Sequence, residues 1–342
     1  MLFRLAAVAV LLVSLLPAKT PSLDIYFLDV DGGQSTLVVT PERQSLLIDT
    51  GYPDRSGRDP DRIMAAVHDA GIDRIDYVVI THFHEDHDGG AAELSRRIPI
   101  GTFVDTGSPV ETSNDVVAAF TAYEQARRKS RHLVPKPGDR LPFRGVDVDV
   151  VSADGRTLGR PLSGAGQPNP ACAAYRPRIA DDTAENPRSI GLRLRYGAFT
   201  FLDLGDLVWN KQGELFCPNN LVGEADVYLA THHANGDASV PAVLAALRPR
   251  VAIANNGIVK GGTATALSML QNMVGQENVW QLHWSANNGV VNVPDAFIAN
   301  LNADEKDIGA WLKLEAAEDG RFSVTNGRTG WTKSYDIPAE RK

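Results

Sequence analysis

Residues 81–90 read THFHEDHDGG. Three of the chain's eight histidines stand here, His82, His84 and His87, with Glu85 and Asp86 between them. The preceding residues 75–80 (IDYVVI) are apolar and β-branched with one break, the pattern of a strand buried on both faces. Residues 89–98 place Leu94 and Ile98 one turn apart and predict a helix. The histidines therefore fall in a strand-to-helix turn at the carboxyl end of a strand, where open α/β sheets place their ligands. Alternate side chains of an extended segment point the same way, so His82 and His84 converge on one ion. Asp86 and His87 follow where the chain reverses, which aims them at a neighbouring position. Imidazole and carboxylate donors suit zinc, and the oxygens also admit manganese or iron. Two divalent ions about 3.5–4 Å apart would lower the pKa of a water towards neutrality.

The rest of the composition bounds this reading. The chain has 342 residues, 43% hydrophobic and 22% charged, enough for one large domain or two small ones. Arg4 followed by the apolar run 5–16 and Pro17-Ala18 reads as a secretory signal peptide over residues 1–18. The run is short for a membrane span, and no other stretch approaches spanning length, so the expectation is an exported, periplasmic or extracellular protein. A net charge of −8 gives no general attraction to nucleic-acid phosphates. The one basic cluster, Arg127, Arg128, Lys129 and Arg131, closes a predicted helix, where cations favour the terminus. Cys172 and Cys217 form no CxxC, which excludes a zinc ribbon; they are read either as a disulfide between two loops or as free thiols.

Along the chain, 23–30 and 35–40 are strand-like around Asp31-Gly32-Gly33, and 45–48 leads into Asp49-Thr50-Gly51. Helices are expected over 59–71, 114–130, 239–247 and 263–274. Residues 153–189 keep no periodicity and hold five prolines, so they are read as a long insert, either a lid over substrate or an inert excursion. A hairpin about Gly197 runs into Gly205-Asp206, and 225–230 is a buried strand ending in Thr231-His232-His233. Residues 306–342 read as a β-hairpin extension. His68 and His132 have structural settings. His283, at a strand end, is either packed there or set at the site rim.

The spacing His82, His84, Asp86, His87 resembles the HxHxDH motif of the metallo-β-lactamase superfamily. That resemblance, over roughly 23–295, implies an α/β fold, a four-layer αβ/βα sandwich, with residues 19–305 as hydrolase domain. It further implies two divalent metal ions, zinc first and manganese second. Asp49 would brace the metal loop, and Asp206 would bridge the ions. His232 would bind the second ion and His233 would contact the substrate oxyanion or leaving group, or the two would exchange roles. Asp86 or Asp206 would take the proton of the attacking water.

Within the superfamily, LDIYFLDVDGGQSTLVV and LLIDTG resemble the hydrolase domain of ComEC-type DNA-uptake competence proteins. The chain departs from that pattern in two places: Gln34 or Ser35 replaces an acid, and no histidine occurs within 257–262. Where many superfamily members carry a histidine turn it reads Glu185-Asn186-Pro187, and the resemblance to competence-type members, which often have Asn there, is favoured by that difference. The first metal site thus rests on His82 and His84, completed by Glu185, Asn186 or water. The implied substrate is a phosphodiester, nucleic acid included, or a smaller phosphoester. The alternatives are a lactone, thioester or β-lactam, or a binding protein with a degenerate site.

Overall fold

The computed structural model describes residues 21–53, 55–178, 184–301 and 309–337. The proposed signal segment 1–18 lies outside them. Among the described residues no helix is long and apolar enough to cross a membrane.

The first sheet runs, in spatial order, Thr332–Tyr335, Phe322–Asn326, Leu312–Ala316, Leu23–Phe27, Thr36–Val39, Ser45–Ile48, Ile75–Val79, Ile100–Val104 and Arg131–Leu133. The second runs Ile298–Asn300, Val279–His283, Val251–Ala254, Val227–Leu229, Phe199–Asp203, Gly191–Tyr196, Asp147–Ala153 and Arg140–Leu141. Each sheet is antiparallel at one side and parallel at the other. From Ser45–Ile48 to Arg131–Leu133, and from Phe199–Asp203 to Ile298–Asn300, all neighbours are parallel.

The period-two alternation of strand side chains decides which core each residue joins. Leu23, Ile25 and Phe27 enter the core between the sheets, whereas Tyr26 packs outward with the helices. Phe27 meets Phe201 of the opposite sheet edge to face, centroids 5.6 Å apart. Helices Arg58–Asp69, Ala91–Arg97 and Asn114–Arg127 cover the outer face of the first sheet through Ile63, Val67, Leu94, Val116 and Tyr123. Helices Trp209–Phe216, Pro241–Leu247 and Ala264–Val274 cover the second through Leu215, Leu244 and Leu267. The result is the expected four-layer αβ/βα sandwich.

The helix expected over 89–98 is found as Ala91–Arg97, and a separate helical turn, Glu85–Asp88, precedes it, so Asp86 and His87 already lie in a helical turn. The C-terminal stretch forms three strands, Leu312–Ala316 pairing antiparallel with Leu23–Phe27, and so widens the first sheet. The insert is largely anchored. Cys172 and Cys217 are disulfide-bonded, the buried Asn169 amide donates to the carbonyls of Phe216 and Ala242, and Tyr175 stacks on Trp209. Its residues 179–183 lie outside the described part.

Candidate metal centre

Four parallel strands end on the same edge of the sandwich, and the polar residues after those ends face one another across the two sheets. Asp49 follows Ser45–Ile48, Thr81 to His87 follow Ile75–Val79, Asp206 follows Phe199–Asp203, and His232-His233 follow Val227–Leu229. Segments far apart in sequence are thereby brought to one point, as expected for a ligand crevice at strand carboxyl ends.

Asp86, His87, Asp206 and His233 are all buried, and one potential ligand atom from each lies within 4.8 Å of the others. Oδ2 of Asp206 is 3.4 Å from His87 Nε2 and 3.3 Å from His233 Nε2. Oδ2 of Asp86 is 3.2 Å from both imidazole nitrogens. His82 Nε2 lies 3.9 Å from Asp206 Oδ2 and 3.0 Å from His84 Nδ1, and His232 Nε2 lies 3.5 Å from Asp206 Oδ2. Asp206 is therefore central, touching or neighbouring both halves of the predicted set.

The two adjacent histidines separate. His233 joins the four-residue cluster, while His232, with its side chain 18% exposed, stands at the mouth and is held through Nδ1 by Asp237 Oδ1 at 3.0 Å. The exchange of roles left open by the sequence is the arrangement this geometry favours. His232, His233 and Ala234 all have left-handed backbones, φ 54°, 55° and 59°. That conformation costs a non-glycine residue about 1–2 kcal/mol and marks a turn dictated by the site.

Buried braces orient the donors. Asp49 Oδ1 accepts the Thr81 backbone N–H at 2.8 Å, and Oδ2 accepts the Thr81 hydroxyl at 2.7 Å. His87 Nδ1 donates to the same Oδ2 at 2.7 Å, which turns Nε2 towards Asp86 and Asp206 and fixes the tautomer. Close approach of the loops requires glycine at Gly33, where a Cβ would lie 2.6 Å from the Asp86 carbonyl. At Gly261 (φ 68°) a Cβ would lie 2.1 Å from the His233 carbonyl.

The electrostatics suit a cation. Burial disfavours charge on every member of the cluster. Even so, the imidazoles of His87 and His233 beside Asp86, and of His233, His232 and His87 beside Asp206, hold both carboxyls well below their usual range. Against the same burial, Asp86, Asp206 and Asp49 raise His87 well above its usual range. Burial, with His87 as neighbour, lowers His82 well below its own. His87 Nε2, His233 Nε2 and Asp206 Oδ1 are buried without hydrogen-bond partners, and such orphaned atoms are costly unless something ligates them. Two orphaned imidazole nitrogens converging on the carboxylates of Asp86 and Asp206 fit a divalent ion with nitrogen and oxygen donors.

The first position is less complete. Glu185, one of the three completions the sequence leaves open, is buried, and its carboxylate accepts the backbone N–H groups of Phe83, Val110 and Glu111, which braces that loop. Asn186 Oδ1 is buried without a partner, three residues before Ser189, whose hydroxyl is 3.5 Å from His82 Nδ1. Glu111 reaches His84 Nε2 at 3.3 Å, a neighbour that the sequence did not disclose. Lys260 was also missed: its Nζ is 2.5 Å from Asp86 Oδ2 and 3.0 Å from the Tyr52 hydroxyl. It lies in the 257–262 stretch noted for lacking histidine, which was the available signal. His283 is not at the site; its Nε2 pairs with Asp29 at 3.0 Å, and Arg62 shares that carboxylate at 2.9 Å. His132 likewise pairs with Asp105 at 2.8 Å.

A double-sheet sandwich carrying its donors on the loops at the strand ends is the metallo-β-lactamase fold. Residues 28–168 match the family model of the metallo-beta-lactamase superfamily, which supports placing the chain there and, with the cluster, supports a divalent-metal site. Among particular proteins, it is similar to coenzyme F420H(2) oxidase of Methanothermobacter marburgensis, 31% identical over 31% of this chain and 24% of that one. It is also similar to competence protein ComA of Neisseria gonorrhoeae, 28% identical over 67% of this chain and 26% of that one. The chain thus spans about a quarter of the length of these curated relatives. Among solved structures, the metallo-beta-lactamase fold protein YhfI of Bacillus subtilis superposes with a TM-score of 0.47 at 9% identity, covering 87% of this chain and all of that one. Proteins with an oxidase name and a competence name both occur among the relatives, so the match fixes a class of fold and not a reaction.

Proposed function

We propose that this chain is a metal-dependent hydrolase of phosphoesters. The observation that carries the reading is the cluster of Asp86, His87, Asp206 and His233, with the Nε2 atoms of both histidines buried and unpartnered. His82 and His84 would hold a first ion, and those four residues a second, with Asp206 between them. Bound divalent ions would supply a water of lowered pKa and polarise the oxygen under attack.

The chain's own residues supply the remainder. Asp86, with Oδ2 facing the cluster, is placed to accept the proton of that water. His232, at the mouth and oriented by Asp237, is placed to donate a hydrogen bond to the leaving oxygen. Against the cost of burial, Asp86 and Tyr52 hold the Lys260 ammonium above its usual range, so it stays charged. Arg55 stacks over Tyr52 at 3.8 Å. Arg55 also pairs with Asp31, so Lys260 is the cation that touches the cluster, and in a chain of net charge −8 it supports an anionic substrate over a neutral lactone or thioester. A lysine at the cluster suits a small phosphoester or a phosphodiester, and the competence-type resemblance supports the phosphodiester. The Cys172–Cys217 disulfide supports an exported protein, since such bonds persist in oxidising compartments.

The test is hydrolysis of bis-p-nitrophenyl phosphate and of a simple lactone by protein loaded with Zn²⁺ or Mn²⁺. Metal-dependent release of p-nitrophenol with little lactone opening is expected. The reverse preference would assign the carbonyl chemistry instead, and turnover of neither substrate would leave a binding protein.

A further inference from the structure

Residues Tyr175-Arg176-Pro177-Arg178 form a basic and aromatic run in the insert, and they are docked on the start of helix Trp209–Phe216. Trp209 Nε1 donates to the Arg176 carbonyl at 2.9 Å. The Asn210 side chain closes a two-way pair with Arg178, accepting its backbone N–H at 2.8 Å and donating to its carbonyl at 2.9 Å. The Tyr175 ring stacks beside Trp209, and the Arg178 guanidinium lies over the Trp209 ring, 3.6 Å from its centre. These contacts fix the guanidinium of an exposed residue. An arginine already held on an indole face has less freedom to lose when it binds an anion.

The fold sets this guanidinium at the mouth of the metal centre. Trp209 comes three residues after Asp206, and Arg178 Nη1 donates to the carbonyl of Asp237 at 2.6 Å. The same Asp237 holds His232 Nδ1 through Oδ1, and His232 Nε2 is 3.5 Å from Asp206 Oδ2. One residue, Asp237, thus stands between the fixed guanidinium and the imidazole placed at the leaving oxygen. The acids beside it are engaged, Asp237 with His232 and Glu214 with Lys211 at 2.9 Å.

We propose that Arg178 is a specificity-determining residue that binds a second anionic group, carried on the leaving side of the phosphoester. The proposal rests on the hydrolase reading above and names the substrate class within it, a phosphoester with a further phosphate beyond the leaving oxygen. The planar fork of a guanidinium pairs with two oxygens of such a group at once. Lys260 touches the cluster at Asp86, whereas Arg178 is joined to it by way of Asp237 and His232, so the two cations serve different parts of the substrate. The insert then has a function that its lack of periodicity conceals: it carries a charge to the site and pins it there.

The test compares a thymidine dinucleotide with the same dinucleotide phosphorylated at both ends, on wild type and Arg178→Ala. Arg178 is exposed, and the disulfide anchors the insert without it, so the variant keeps the fold. The wild type should favour the phosphorylated form in kcat/KM by about tenfold, the worth of one charge-assisted contact, and the variant should lose most of that preference. A role confined to holding Asp237 and His232 would lower both substrates together and leave their ratio where it was. Equal kcat/KM for the two substrates in the wild type, or a preference that survives Arg178→Ala, overturns the proposal. Equilibrium dialysis of both dinucleotides against the two metal-free proteins needs no turnover. Tighter retention of the phosphorylated form by the wild type, lost in the variant, is expected there, and equal retention by the two proteins overturns the anion site. Turnover of neither dinucleotide with that binding preference intact overturns the hydrolase reading and leaves the anion site standing.

Discussion

Asp49 shows how much one residue does here. Its two oxygens hold the Thr81 amide, the Thr81 hydroxyl and His87 Nδ1, all buried. Asp49→Ala strands those donors, and we expect a loss of about 2–4 kcal/mol in denaturant unfolding together with weakened metal binding. His233→Ala should reduce bound metal, whereas His232→Ala should keep the metal and lower kcat by about 10²–10⁴-fold; metal analysis beside kinetics separates them. Asp203 sets a pH dependence with a definite sign. Its folded pKa, about 7, lies above the ordinary carboxyl value, so the folded state binds the extra proton between the two. Its contribution to stability is therefore full at acid pH, is lost as pH rises towards 7, and is constant beyond. Metal-free Asp203→Asn should gain stability relative to wild type over that window, by on the order of a few kcal/mol, as read by urea unfolding at pH values on either side. At this scale the sequence was legible where spacing carried the message, as in His82 to His87. It was opaque for Lys260, whose contact with Asp86 spans 174 residues.

Elements were legible where a local pattern sufficed. The run at 75–80 became the strand Ile75–Val79 because β-branched residues buried on both faces suit a central parallel strand. The helix expected over 89–98 is found as Ala91–Arg97, whereas the turn Glu85–Asp88, set off from it by Gly89-Gly90, was not foreseen because four polar residues carry no apolar spacing. The insert was the least legible element. What anchors it is a disulfide, an asparagine donating to two carbonyls and a stacked Tyr175–Trp209 pair, none of them periodic. Cys172 and Cys217 are 45 residues apart, and in the chain-entropy account such a closure stabilises by about 4 kcal/mol. Replacing both cysteines by alanine should lower the midpoint of thermal unfolding accordingly and leave bound metal unchanged. Loss of metal in that variant would show that the insert also shapes the centre.

For the molecule as a whole, a double-sheet architecture was inferable from motif order, and it is the architecture found. Strand order was not inferable. Leu312–Ala316 pairs with Leu23–Phe27 across nearly the full length of the chain, and no local signal specifies such a partner. The two sheets depend on a shared core, so Phe27→Ala, which empties the contact with Phe201, should cost about 3–5 kcal/mol in a single cooperative transition. The site is a consequence of the same arrangement, because only two sheets held face to face bring Asp206 and His233 to Asp86 and His87. The most direct measurement is the metal content of purified wild type and Asp206→Ala after incubation with Zn²⁺ and removal of the excess. The account predicts at least one tightly held equivalent in the wild type and loss of the ion from the folded variant. Equal metal content in the two proteins, or none in the wild type, would contradict it.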